Sequence, residues 1–359
     1  MATRKRIYRF LTVMTIVVTA MVACAPRAHG LSLALDSIAT WGKFPRFCVN
    51  TYRWGDKFFN TYDSTYVQGT GYKFNVKFKT DTWLDNYIFE MPDDYTMHMR
   101  SDFCTSAGVW ATYLALSAGY DINVSKYIGG SETSRKRYNF VFNCALLSAN
   151  FYWITNDVGT TITTFGPRGH TENLNIRFEG INTSIFGLDA YYHFNNKRYS
   201  RAAAFNYSKI QKRSQGSWFL GFSYWQQDFT FDFKDLPASV VEKLPPEWAE
   251  YEYVYHSNSH NYSLRGGYSY NWVFAPHWLL GVSESPILGY KKGTLTGDSA
   301  KFSLSLYNRF QLSVIWNNKR WFAGIIGAAE NGLFFAKKNT LMTGIFSFEA
   351  SCGFRFNIW

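Results

Sequence analysis

The chain has 359 residues, 47% of them hydrophobic and 18% charged, with a formal net charge of +11. Its 13 Trp, 25 Tyr and 32 Phe exclude intrinsic disorder, which goes with few aromatics and abundant charge. A mean hydropathy of −0.22 excludes a polytopic helical membrane protein, which needs several uncharged apolar runs of about 20 residues.

Residues 1–30 read as a secretory signal peptide. Arg4, Lys5, Arg6 and Arg9 form a positive start, Phe10 to Ala23 an apolar stretch, and Ala28-His29-Gly30 a small-x-small cleavage site. Met21-Val22-Ala23-Cys24 supplies an alternative, an imperfect lipoprotein box with Cys24 as acceptor. Either way the chain is expected to leave the cytoplasm by Sec-type export. Without residues 1–30 the net charge falls to +6, and the remaining basic residues are scattered. A nucleic-acid partner would want a clustered basic face, so none is expected. Cys48, Cys104, Cys144 and Cys352 have no metal-ligand spacing; a Cys48–Cys104 disulfide suits an oxidising compartment, but nothing demands it.

Residues 31–69 carry Trp41, Phe44, Phe47, Tyr52, Trp54, Phe58, Phe59 and Tyr62 at spacings that suit amphipathic helical turns, with Pro45 as a break. This segment reads as an aromatic cap at the periplasmic mouth of a barrel built from the rest of the chain. The alternative is a plug or docking element for a periplasmic partner.

From residue 70 to 359 the dominant signal is alternation of period two. Residues 72–79 set Tyr72, Phe74, Val76 and Phe78 against Lys73, Asn75, Lys77 and Lys79, and residues 137–144, 262–272, 301–316 and 346–358 repeat the scheme. Several runs are longer than the usual globular strand of about 5–6 residues and match the roughly 9–11 that a tilted strand needs to cross a bilayer. Aromatics gather near the ends of the apolar faces, among them Tyr72, Tyr262, Trp272, Trp278, Tyr290 and Trp316, as expected of interfacial girdles. The expected fold is all-β: an antiparallel, up-and-down transmembrane barrel with a short helical N-terminal segment.

Strands are expected at 72–83, 106–113, 115–124, 136–145, 148–157, 172–179, 184–195, 198–210, 216–232, 252–273, 277–290, 299–317, 320–337 and 340–359. That makes about 14; losing 106–113 and 172–179 would give 12, and periplasmic termini require an even number. Longer connections are expected near 84–105, 125–136, 158–172, 233–252 and 291–299, the fourth containing a short helical pattern from Ala238 to Leu244. In 216–232 the apolar set moves from even positions (Leu220, Phe222, Tyr224) to odd ones (Phe229, Phe231). Since a one-residue slip turns every side chain over, a bulge or emergence from the membrane is expected there. The chain ends on Phe354, Phe356, Ile358 and Trp359, an alternating aromatic close that resembles an outer-membrane assembly signal, although Trp359 lies out of phase.

The polar faces carry Lys73, Lys77, Lys79, Arg137, Arg265, Lys301, Arg309 and Arg355, opposed mainly by Asp189 and Glu349. An open lumen lined this way would favour anionic solutes. The alternative is that these cations pair with acids of a loop or plug, leaving a closed interior. His193 shares the inward face with Asp189, and His256 and His260 stand four apart, but neither arrangement marks a catalytic or metal site on a strand. No nucleophile elbow, Walker loop or dinucleotide fingerprint occurs, so no catalytic residue, cofactor or metal is expected.

The segment Tyr52-Arg-Trp54-Gly-Asp56-Lys-Phe58-Phe59-Asn60-Thr-Tyr62-Asp63, continuing through Tyr66 and Val67 to Gly71, resembles the N-terminal signature of the domain of unknown function 4421 family. Lys212-Arg213-Ser214-Gln215-Gly216-Ser217 is similar to a second block. The resemblance spans nearly the whole exported chain. It implies an outer-membrane barrel of Bacteroides-type, Gram-negative bacteria, and it implies no activity. The expected partners are outer-membrane lipid, with the barrel-assembly machinery and periplasmic chaperones during biogenesis. The expected function is a pore or binding barrel for small polar solutes; the alternatives are a lipid-modifying barrel enzyme and a plugged structural or surface-binding barrel.

Overall fold

The computed structural model describes residues 61–357 except 91–93, 114–115, 129–133, 158, 179–180, 233–234, 244–253, 296–301 and 336–339, together with six residues between 40 and 50. The signal segment, Cys48, Trp54, Asp56, Phe58, Phe59, Asn60, Lys301, Ile358 and Trp359 lie outside the described residues. In chain order the strands begin with the short β1 (Val67–Gly69) and the long β2 (Phe74–Glu90). Then come β3 (Tyr95–Ser101), β4 (Cys104–Tyr113), β5 (Leu116–Asn123), β6 (Ser134–Asn143) and β7 (Leu147–Asp157). They are followed by β8 (Thr160–Pro167), β9 (Glu172–Phe178) and β10 (Ile181–His193). A helix, α1 (Arg201–Phe205), and the short β11 (Lys209–Gln211) precede β12 (Gln215–Asp232) and a second helix, α2 (Ala238–Val241). The chain finishes with β13 (Val254–Ala275), β14 (Trp278–Leu295), β15 (Phe302–Asn317), β16 (Trp321–Phe335) and β17 (Thr340–Phe356).

Twelve strands form a closed antiparallel ring, β2-β4-β5-β6-β7-β10-β12-β13-β14-β15-β16-β17, with β17 pairing back onto β2 from Phe356↔Phe74 to Thr340↔Glu90. Closure leaves the ring without an edge strand. Partway along, β2 changes neighbour: Phe74–Trp83 pairs with β4, while Asn86–Glu90 pairs with β3, and β3, β8 and β9 continue as a three-stranded extension.

The count in the ring is thus twelve, the lower of the two expected. Of residues 172–179, Glu172–Phe178 form β9, in the extension. Residues 198–210 are α1, β11 and turns, because Arg201-Ala-Ala-Ala-Phe205 places three strong helix formers in succession. Conversely, the expected loops at 84–105 and 158–172 contain the end of β2 and all of β3 and β8.

Burial runs opposite to that of a water-soluble protein. Along β13, Ser259, Asn261, Ser263, Arg265, Ser269 and Asn271 are buried, while Tyr262, Leu264, Tyr268, Tyr270 and Trp272 are exposed, Leu264 at 63%. Along β15, Ser305, Gln311 and Ser313 are buried and Leu304, Leu306, Phe310 and Leu312 are exposed. Leaving one large apolar side chain in water rather than burying it costs about 1.5–3 kcal/mol. A wall of them is stable only against lipid, so this is a transmembrane β-barrel with an inward polar face.

The register of β12 is unbroken against both β10 and β13, from Phe219↔His193 to Phe231↔Ile181 on one side. The phase change read in the sequence is therefore not a bulge. Odd positions face inward throughout, Phe219 and Trp225 among them, and the pattern changes because the outward positions Gln226, Asp228 and Thr230 turn polar while Phe229 and Phe231 stay buried inside. Phe229 and Phe231 join Met97, Met99, Ile162, Phe165, Phe178, Ile181, Leu236 and Val240 in a buried cluster. The lumen has an apolar core at its long-loop end, to which Leu236 and the α2 residues Val240 and Val241 belong.

Candidate functional site: the closed lumen

Three layers fill the barrel. At the end carrying the short turns, the connection from β10 to β12 folds inward. Ala203, Ala204 and Tyr207 pack on Leu279, Ile315 and Phe322. Two inward glycines make room for this segment: a Cβ on Gly281 would stand 2.6 Å from Ala204 Cβ, and one on Gly324 would stand 2.9 Å from Tyr207 Cε1. Asn271 Nδ2 donates to Ser200 O at 2.9 Å, and Arg201 donates to Gln311 Oε1 at 2.7 Å. Tyr207 shares a 2.6 Å hydrogen bond with Ser351 Oγ and stacks on Phe322 with ring centroids 4.9 Å apart. Arg355, 2% exposed, donates to Asn317 Oδ1 at 3.0 Å and to the carbonyls of Lys319 and Tyr207. Residues 194–214 are therefore fastened to β13, β14, β15 and β17 and packed on β16, and they form a plug.

A strap holds the plug from its other side. β1 pairs with β11 from Val67↔Gln211 to Gly69↔Lys209. Asp63 N donates to Lys197 O at 2.8 Å, and Lys212 N donates to Tyr66 O at 2.7 Å. Arg198 and Arg213 lie over the Tyr66 ring at 5.1 and 5.6 Å, and Lys209 lies over Tyr62 at 5.3 Å. Asp63 accepts from the Thr65 hydroxyl at 2.6 Å and the Thr65 amide at 2.9 Å. Those hydrogen bonds hold its carboxyl below the usual carboxylate range. Tyr66 of the first family-like block thus meets Lys212 and Arg213 of the second.

The middle layer is polar. A cavity of about 250 Å³ is lined by Asp81, Asp85, Asp189, Glu330 and Glu349 together with Arg265 and Arg309, and by Asn150, Tyr152 and Thr183 among others. Lys77 Nζ meets Glu349 at 3.2 Å, and Lys79 Nζ meets Asp121 at 3.1 Å and also Asp81. Arg265 stands 3.9 Å from Asp189 and donates to the Tyr191 hydroxyl, while Arg309 lies 3.7 Å from Glu330. The paired acids belong to the barrel wall, not to a loop or the plug, so these cations do not leave the lumen free positive charge. Lys73 is exposed just before β2, and Arg137 lies on β6 with its side chain outside the described set.

Asp189 and His193 take different partners. Ser223 Oγ donates to Asp189 at 2.6 Å, whereas His193 Nε2 meets Ser148 Oγ at 3.3 Å, with all four residues buried. His260 Nδ1 lies 2.9 Å from the Tyr224 hydroxyl. Among the described residues no group of three or more His, Cys, Asp or Glu is placed to hold a metal ion.

The third layer closes the long-loop end. β2 and β12 are six places apart in the ring of twelve, on opposite walls. Yet the Phe89 ring lies 6.1 Å from that of Phe229 and 5.5 Å from that of Phe231. Aromatic rings from the two walls thus meet across the bore at that end, with the β3-β8-β9 extension packed into the same cluster.

Sequence reasoning missed Asp81, Asp85, Asp121 and Glu330. Asp81 and Asp85 share odd parity with Lys77 and Lys79 on β2, a signal present in the local pattern. Glu330 sits among the small residues of β16, where alternation in size is faint. The plug has no alternation to announce it. At the chain end, Phe354 and Phe356 pack on Trp321 and Phe74 with centroids 5.6 and 5.7 Å apart.

Fold and lumen together define a plugged transmembrane β-barrel of the outer-membrane type. The chain belongs to the family described as Domain of unknown function (DUF4421), which matches residues 61–356. No curated protein matches it. Among solved structures it is similar to the outer membrane protease OmpT of Escherichia coli, at 8% identity and a TM-score of 0.37, over 80% of this chain and 98% of that one. It is also similar to the β domain of the Bordetella autotransporter BrkA, at 7% identity and a TM-score of 0.35, over 78% and 100% of the chains. A third likeness is to the COG4313 outer membrane channel of Pseudomonas putida F1, at 8% identity and a TM-score of 0.31, over 79% and 96%.

Proposed function

We propose that this protein is an outer-membrane barrel that keeps its lumen shut at rest and admits small polar solutes when its closures are displaced. The reading rests chiefly on a polar cavity held between the 194–214 plug and the Phe89–Phe229–Phe231 contact. A barrel meant only as a support has no need of a hydrophilic chamber at its centre, where apolar packing would serve. Around the cavity five carboxylates face four cations, Arg265 and Arg309 on its wall and Lys77 and Lys79 paired with Glu349 and Asp81. This small negative excess favours solutes carrying a cationic group over the anions expected from the lysines and arginines alone.

Liposome swelling and single-channel recording test this reading. Wild-type protein is expected to be silent. A variant with residues 199–213 replaced by a short Gly-Ser turn, combined with Phe89→Ala, Phe229→Ala and Phe231→Ala, is expected to conduct, with small amine salts entering faster than organic anions of equal size. Steady porin-like conductance by wild type would overturn the closed resting state. A correctly folded but silent variant would leave the structural-barrel reading in its place.

A further inference from the structure

The lipid-facing wall has one interruption. On β14 the outward residues run Trp278, Leu280, Val282, then Glu284 and Pro286, then Leu288 and Tyr290. On β15 they run Trp316, Val314, Leu312 and Phe310, then Asn308, then Leu306 and Leu304. Asn308 is the cross-strand partner of Pro286 on one side and of Asn331 on the other. Glu284, Asn308 and Asn331 are all exposed, and apolar residues flank them above and below. They form a polar row inside the apolar band, not at its rim.

Lipid offers such a row nothing. Asn308 Nδ2 donates to Glu284 Oε1 at 3.3 Å, but a carboxylate has about four acceptor positions and each amide two donors. Ionisable groups facing hydrocarbon are costly and mark sites of function or contact. Beside the row, between Trp321 towards one end of β16 and Leu333 towards the other, the outward face carries Ala323, Ile325, Gly327 and Ala329, three of the four small, with open space around Gly327. Small residues allow close approach in a membrane, and polar side chains bind across the contact.

We propose that the outer face of β14–β16 is an interface between two copies of this chain within the membrane. The patch carries its acceptor, Glu284, next to its donors, Asn308 and Asn331. A two-fold axis through it would set the carboxylate of each copy against the amides of the other, the self-complementarity that an isologous contact requires. That charge and hydrogen-bond match favours a second copy over a lipid tail, which has neither donor nor acceptor.

The test uses the full chain in lipid vesicles, with association read by energy transfer between labelled copies across a range of protein-to-lipid ratios. Wild type is expected to associate. The triple variant Glu284→Leu, Asn308→Leu, Asn331→Leu is expected to raise the dissociation constant at least about tenfold. Its barrel fold, read by heat-modifiable gel mobility, should persist or become more resistant. Wild type that stays monomeric at every ratio, or a triple variant that associates as tightly as wild type, would overturn the interface. A pull-down that recovers a different membrane protein in place of the second copy would overturn the choice of partner. A single Gly327→Phe variant gives an independent reading, since bulk at that position should also block association while leaving the lumen untouched.

Discussion

Lys79 illustrates how charge is held inside this barrel. Its ammonium lies between Asp81 and Asp121, 4.7 Å from the Trp110 ring centroid, and the Trp110 indole donates to Asp121 at 2.8 Å. Lys79 and Asp81 are 7% and 5% exposed, so neither charge can be left to water. Removing one partner from a buried ionic group typically costs about 3–5 kcal/mol because the other charges remain. Lys79→Met is expected to lower stability by that order in urea unfolding from micelles. Lys79→Met with Asp81→Asn and Asp121→Asn should lie closer to wild type than the single variant. A single-variant cost below about 1 kcal/mol would show that water reaches the cluster.

At the level of the element, the strap and plug are coupled through few residues. β1 is three residues long and would not persist as an isolated pair with β11; the Tyr66 ring under two guanidinium groups and the Asp63 turn supply the rest. Val67→Pro removes the Val67 N–H that donates to Asp63 O at 2.9 Å. With Tyr66→Ala it is expected to speed tryptic cleavage at Arg198, Lys212 and Arg213 about tenfold, leaving the ring strands protected. Unchanged cleavage would mean that the strap does not hold the plug. This is also the scale at which the sequence is most and least legible. Strands such as β13 and β15 are plain because lipid on one side and a polar lumen on the other enforce strict alternation. β3, β8 and β9 read as loop, or fall in the wrong place, because they lie beyond that two-sided environment. The plug reads as a strand because nothing in Arg201–Phe205 marks which surface it will cover. Likewise parity puts the cations on the polar face, but their wall partners depend on which strands become neighbours, and pairing between distant strands is not written in local period.

For the molecule as a whole, the long-loop closure has its own stability. Phe231 packs against both Phe89 and Phe178, with centroids 5.5 and 4.9 Å apart, and is 3% exposed. Phe231→Ala is expected to cost the mouth cluster about 3–5 kcal/mol. Because that cluster is distinct from the ring ladder, hydrogen exchange should accelerate in β3, β8 and β9 while amides of β13 to β16 keep their protection. Uniform acceleration through the ring would show that mouth and wall unfold together.

The last strand has two duties, and their coincidence bears on the order of assembly. β17 closes the ring on β2, joining positions as far apart as Phe74 and Phe356, and it also carries Ser351 and Arg355, which fasten Tyr207. Contacts of such sequence separation form late. Until β17 arrives the barrel is an open, curled sheet, and residues 194–214 can enter it from the side without threading through an aperture. Sealing the seam and latching the insert therefore become one event. A chain truncated before Thr340 would lack both, and no intermediate should exist in which the wall is complete and the bore is empty.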